Sequence, residues 1–235
     1  MSIQEHVNAV REKMAAAAKA AGRDPGEITL CAATKVQTDG TIREAIAAGI
    51  TVCGENRVQE LTAHLEANAY EGAQVHFIGH LQTNKVNKVV GKVDLIHSVD
   101  SERLLRAIDR QADKLGLVQD VLLEVNVAGE ASKGGCTPDE ARTLAQLAPS
   151  LEHVRLRGLM AIPPIAQKPG DNTPYFSIMK KLYVDIKEKI AHNQDDMDCL
   201  SMGMSGDYED AIAQGATMVR VGTALFGPRP PMGKQ

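Results

Sequence analysis

At residues 31–35 the sequence reads CAATK. Four small residues lead into Lys35, and an apolar Val36 follows it. Burying an ammonium group costs free energy unless the site uses the amine. Desolvation lowers a lysine's pKa, and a neutral amine attacks an aldehyde or ketone to give a Schiff base. The alternative is a strand-end lysine whose stem packs on apolar surface while its ammonium reaches solvent. Lys35 alone leaves both open.

Two glycine-containing stretches point to an anion. They are SMGMSGD at 201–207 and VGTALFG at 221–227, each running into a segment with helical character. Small residues let backbone N–H groups approach an anion, and a helix amino terminus adds its dipole. A lone glycine-rich turn is usually only a turn; two of them beside a carbonyl-reactive lysine define a ligand with both an aldehyde or ketone and a phosphate. Two ligand classes fit. One is the phosphorylated sugar of a lysine-dependent aldolase, and the other is pyridoxal 5′-phosphate (PLP). Arg220, flanked by valines in MVRVG, helps to choose. An arginine beside a pyridine nitrogen keeps that nitrogen unprotonated, because the guanidinium does not give up its own proton. Its alternative is a buried ion pair with Glu124. The four cysteines, Cys31, Cys53, Cys136 and Cys199, are scattered without a C-x-x-C pair and read as structural thiols rather than metal ligands.

The elements that must position these residues alternate. Strand-like runs occur at ITLCAAT, ITVCG, VHFIG, DLIHSV, DVLLEVNV, LRGLMAI, CLSMG and TMVRVG. Helical periodicity fills 41–48, 55–66, 82–90, 101–115, 138–148, 174–190 and 207–214. Alternation of this kind predicts a parallel sheet, and eight strands in 235 residues suit a closed (β/α)8 TIM barrel better than an open sheet. A TIM barrel gathers its functional groups at the carboxyl ends of its strands. That places Lys35, Glu55 and Asn56, His80, Met160, Ser201 to Ser205, and Arg220 to Gly222 at one mouth. One domain is expected over 1–235, with an N-terminal helix within 1–22, a candidate lid at 162–174 and a frayed tail at 228–235. The net charge of −4, from 26 Lys+Arg and 30 Asp+Glu, provides no basic footprint for nucleic acid or an anionic membrane. No apolar run is long enough to span a bilayer and no signal-peptide pattern opens the chain, so a cytoplasmic protein is expected.

Nine segments in order, ATK, GENRVQE, HFIGHLQTNK, IHSVDS, LLEVN, KGG, RGLMAI, LSMGMSGDYEDAI and VRVGTALFG, resemble the YggS/PROSC family of PLP homeostasis proteins over nearly the whole chain. Val75 departs from the family's frequent aromatic residue before the histidine, a difference of packing. The family is similar to the barrel of fold-type III PLP enzymes such as alanine racemase. The resemblance implies that Lys35 holds PLP as a Schiff base, that Arg220 sits at the pyridine nitrogen and that Asn56 lies near the phenolic oxygen. It implies that Ser201, Gly203, Gly222 and Thr223 bind the phosphate, largely through backbone N–H groups. Met160 and Met202 become apolar neighbours of the ring or phosphate loop, and His80 lines the mouth. The implied function is binding, buffering and delivery of PLP to PLP-dependent apoenzymes by a monomer, with little or no turnover and no catalytic residue. The alternative is a PLP-dependent amino-acid racemase. The racemase's second, mainly β domain, which supplies the opposite-face acid/base, is not expected after residue 235. Lys133, in EASKGG, is either a transient PLP acceptor or a solvated loop charge.

Overall fold

Strands that bury both faces need cover on both sides, and closing the sheet on itself supplies one of them. The computed structural model describes residues 2–130, 133–190 and 196–228. Its strands are β1 (Thr29–Ala33), β2 (Val52–Glu55), β3 (Gln74–Phe77), β4 (Leu95–Val99), β5 (Gln119–Glu124), β6 (Val154–Met160), β7 (Cys199–Ser201) and β8 (Met218–Val221). They pair in parallel in that order, and β8 returns to β1 to close the barrel. The helices are α1 (Ile3–Ala20), α2 (Asp39–Ala47), α3 (Val58–Glu66), α4 (Glu102–Leu115), α5 (Pro138–Leu147), α6 (Thr173–Lys189), α7 (Tyr208–Ala213) and α8 (Thr223–Phe226). The expected closed (β/α)8 barrel with an extra N-terminal helix is the observed one. The expected tail falls, from residue 229 on, outside the described residues.

Strand alternation splits the core in two. Cys31, Ala33, Val52, Ile78, Leu95, Leu122, Met160, Cys199 and Met218 fill the barrel itself. Their neighbours along the strands, such as Ala32, Cys53, Phe77, Leu200 and Val219, join the larger layer between sheet and helices. All four cysteines are buried free thiols, and burial pushes Cys53, Cys136 and Cys199 up to about 12, as structural thiols require.

The N-terminal helix starts on a Ser2/Glu5 capping box and buries Val7, Val10 and Met14 against α7 and α8. The 82–90 segment differs from expectation. It forms a 3-10 helix, Thr83–Lys88, because TNKVNK carries two asparagines and a β-branched valine, which compete with or disfavour regular α-helix. At the amino-terminal mouth, Asp120 of β5 takes a two-bond grip from Arg155 at 2.7 and 2.9 Å, and a third bond from Arg157 at 2.6 Å. Arg157 also binds Asp198, so β5, β6 and the entry to β7 are tied at the base. A cavity of about 840 Å³ opens there, lined by these side chains and His76.

β6 approaches β7 so closely that one position must be glycine. A Cβ on Gly158, whose φ is +150°, would lie 1.7 Å from the Cys199 carbonyl oxygen. Gly158→Ala is expected to lower stability by about 3 kcal/mol or more, through backbone displacement and strain. A urea midpoint well below wild type checks this, and an unchanged midpoint would contradict the close approach.

Candidate functional site

Lys35 lies two residues beyond β1, in step with the inward-facing Cys31 and Ala33, and is half-buried. It occupies a turn closed by the Gln37 amide on the Thr34 carbonyl at 3.0 Å. The next residue, Val36, has φ +60°, a conformation that a β-branched side chain resists. Such strain costs about 1–3 kcal/mol and persists only where the surroundings enforce it. Two carboxylates enforce it here. Glu60 accepts the Val36 amide at 2.9 Å, and Glu55 accepts the Thr34 hydroxyl at 3.2 Å. Glu55 also takes the Asn56 amide at 2.7 Å and the Tyr70 hydroxyl at 3.2 Å. Burial raises its pKa against these bonds. The same buried carboxylate therefore fixes both Lys35's turn and Asn56.

Asn56 follows β2 in step with the inward-facing Val52 and Gly54. Its side-chain Oδ1 is buried and without a hydrogen-bond partner, which in a native site marks a place for a ligand or water. Met160 ends β6 in the inner cluster, with its carbonyl accepting the Val125 amide.

Arg220 is buried within β8. Its Nη1 donates to Ser201 Oγ at 2.5 Å and its Nη2 to the Ala161 carbonyl at 2.9 Å. The expected alternative, an ion pair with Glu124, is not among the ion pairs of the described residues; Glu124 acts on Arg220 only through space. Desolvation lowers the guanidinium's pKa and raises that of Glu124, which Asp100 raises further.

The structure redistributes the expected phosphate residues. Ser201 is committed to Arg220 and to His97 Nδ1, the latter at 3.1 Å. Met202 packs in the outer sheet–helix layer and its amide binds the Met218 carbonyl. Adjacent strand residues face opposite ways, so Ser201 and Met202 cannot both address the mouth. Gly203, at φ +93°, lets the loop rest on α7, where a Cβ would meet Ala211 at 2.6 Å. Ser205 is the residue that links the two glycine loops, accepting the amides of Gly222 and Ala224 at 3.2 Å each. Thr223 opens α8 beside it, exposed. His80 is exposed in the loop after β3. Lys133 pairs with Glu130 at 3.4 Å on the surface, a contact of little energetic weight.

The segment after β6, the expected lid, is tethered. Asn172 donates to the Pro164 carbonyl at 2.9 Å and to Asp207 at 2.6 Å, and the Gly170 amide binds Asp210 at 2.7 Å. Asp207 also accepts the Met204 amide, so the segment is fastened to the β7 loop.

Comparison with known proteins identifies the family. The family described as alanine racemase, N-terminal domain, matches residues 3–230. A pyridoxal phosphate homeostasis protein of Aquifex aeolicus is 43% identical, covering 97% of this chain and 99% of its own. The chain belongs to the pyridoxal phosphate homeostasis protein family. Among solved structures, PipY of Synechococcus elongatus with PLP bound is 34% identical with a TM-score of 0.80, covering 96% of this chain and all of its own. Alanine racemase of Clostridium difficile, at 14% identity and a TM-score of 0.69 over 98% of this chain and 58% of that one, shares the fold.

Ser205 was expected at the mouth, but its link between the two loops, Glu55's double role and the two histidines beneath Arg220 were not. Alternation along CLSM was the available signal for Ser201. The histidines carried none. Burial holds His76 down at about 4 and His97 well below its usual range, so both rings are neutral. The unfolded chain protonates these rings below pH ~6.5 while the folded chain does not, so stability falls as pH drops from 6.5 towards 4. His76 alone accounts for about 3 kcal/mol of that loss. Urea unfolding at pH 7 and pH 4 checks it: His76→Gln is expected to lose less stability between the two than wild type, and an equal loss would contradict the neutral ring.

Proposed function

We propose that this barrel binds PLP at its carboxyl-terminal mouth and buffers and delivers it to PLP-dependent apoenzymes in the cytoplasm, as a monomer with little or no turnover. The observation that carries the reading is Arg220, a fully buried guanidinium held by neutral acceptors, which leaves its charge available to a ligand. The residues present fit the cofactor: the orphaned Asn56 Oδ1 belongs to a half-buried side-chain amide that can turn either end to a phenolic oxygen. Support also comes from relatives named for PLP homeostasis and from PipY, solved with PLP bound.

When bound, PLP supplies an aldehyde that condenses with a primary amine, releasing water, and a phosphate that accepts N–H donors. Lys35 provides the amine from its enforced turn. Arg220 meets the ring nitrogen and, keeping its own protons, leaves that nitrogen unprotonated. Gly203, Ser205, Gly222 and Thr223 hold the phosphate between the β7 and β8 loops. Met160 would be an apolar neighbour of the ring, and Ser201 serves by fixing Arg220. Met202 supports the phosphate loop from the outer layer.

Proton handling supports low turnover. Racemisation needs proton groups on both faces of the reacting carbon. Lys35 serves one face. The hydroxyls of Tyr70 and Tyr183 are spent on Glu55 and on the Met197 carbonyl.

Titration with PLP, followed by absorption, tests the binding. Wild type is expected to turn yellow stoichiometrically and Lys35→Ala to stay colourless. Asn56→Ala should bind about tenfold more weakly, the loss of roughly one hydrogen bond. Incubation of the loaded protein with single alanine enantiomers in deuterated water should leave Cα unlabelled. A colourless wild type would overturn the PLP assignment, and rapid deuterium uptake would overturn the carrier role.

A further inference from the structure

Beneath Arg220 the barrel interior, otherwise filled by apolar side chains, holds a continuous polar line. Arg220 Nη1 reaches Ser201 Oγ at 2.5 Å, Ser201 Oγ reaches His97 Nδ1 at 3.1 Å, and His97 Nε2 reaches His76 Nδ1 at 3.0 Å. These residues come from β8, β7, β4 and β3. His97 and Ser201 are fully buried and His76 nearly so. The register of β4 on β5 slips between Ile96 and Val99, the kind of irregularity that re-aims a side chain, and His97 lies within it. His76 is also part of the wall of the basal cavity, with Asp94, Asp120 and Arg157. The line therefore runs from one mouth of the barrel to the other.

We propose that Ser201, His97 and His76 form an oriented hydrogen-bond column that positions Arg220 for the cofactor's ring nitrogen. The proposal rests on the PLP reading above. Donor and acceptor counting fixes its direction. Arginine only donates, so Ser201 Oγ accepts from it. The serine proton then needs an acceptor, and the one in reach is His97 Nδ1. A neutral His97 must carry its proton on Nε2, which donates to His76 Nδ1. His76 in turn carries its proton on Nε2, the ring nitrogen left for the basal cavity. The opposite order would leave the serine proton without an acceptor and turn two N–H dipoles towards the guanidinium. In the assigned order every lone pair in the column points towards Arg220. Aligned dipoles reinforce one another in a low-dielectric interior, so the column stabilises a buried cation that no carboxylate of the described residues contacts as an ion pair, Glu124 and Asp207 acting on it only through space. The neutral state that burial imposes on both rings agrees with this order.

His97 is thus a positioning residue, acting through Ser201 on Arg220. Nitrogen-15 NMR of histidine-labelled protein tests the column before any cofactor is added. Both rings are expected as neutral Nε2–H tautomers at neutral pH, and Ser201→Ala should shift the His97 tautomer balance. After loading with PLP, His97→Gln should displace the absorption band of the bound chromophore and weaken retention about tenfold, while borohydride still fixes the adduct on Lys35. An Nδ1–H tautomer at His97 would overturn the column. So would a folded His97→Gln with unchanged band and retention. Should His97→Gln fail to fold, the wild-type tautomers and Ser201→Ala decide. Should wild type take up no PLP, the functional reading falls, and the tautomers still decide whether the column exists.

Discussion

Taking a guanidinium out of water costs several kcal/mol unless its protons find acceptors. Arg220 is held inside β8 by a serine hydroxyl and a main-chain carbonyl, both neutral. Much of the site follows from that arrangement. A carboxylate in the same place would neutralise the cation and close the position to a ligand. Neutral acceptors keep it buried, fixed and still charged. The β6 and β7 strand ends supply those acceptors, and the two histidines below complete the chain.

On the neighbouring part of the mouth, after β1, the constraint is conformational. The Lys35 turn carries Val36 in a left-handed conformation that its side chain disfavours. Glu60 and Glu55 hold it there by accepting main-chain and side-chain donors. Because Glu55 also takes the Asn56 amide, one carboxylate ties the first two strand ends together. The barrel makes this coupling local, since parallel strands deliver the loops of β1, β2, β7 and β8 to neighbouring places on one rim. The base is tied separately, by Asp120 between Arg155 and Arg157, so the mouth need not carry the stability of the sheet.

The fold was legible because its signals are periodic. Eight apolar runs between helical segments leave few architectures, and closure is the one observed. Lys35, Asn56, Arg220 and the two glycine loops stood out in the sequence as candidates because their residue types are costly or unusual where they stand. What escaped depended on contacts across the barrel. Ser201 was assigned to the phosphate, yet its inward parity sends it to Arg220, and Ser205 joins the loops instead. His76 and His97 read as ordinary strand residues, since only barrel closure brings β3 and β4 opposite β7 and β8. The 82–90 segment had helical spacing, but its asparagines and valine favoured the tighter 3-10 form. The Val36 conformation left no trace in the sequence, because a carboxylate from α3, beyond the following strand, imposes it.

In the proposed function, one lysine among many is made reactive by its place in the fold. Borohydride reduction of the PLP-loaded protein, followed by peptide mass mapping, measures that directly. The account predicts a single phosphopyridoxyl adduct, on the peptide carrying Lys35. Adducts spread over surface lysines, or one on Lys133 with Lys35 unmodified, would contradict it.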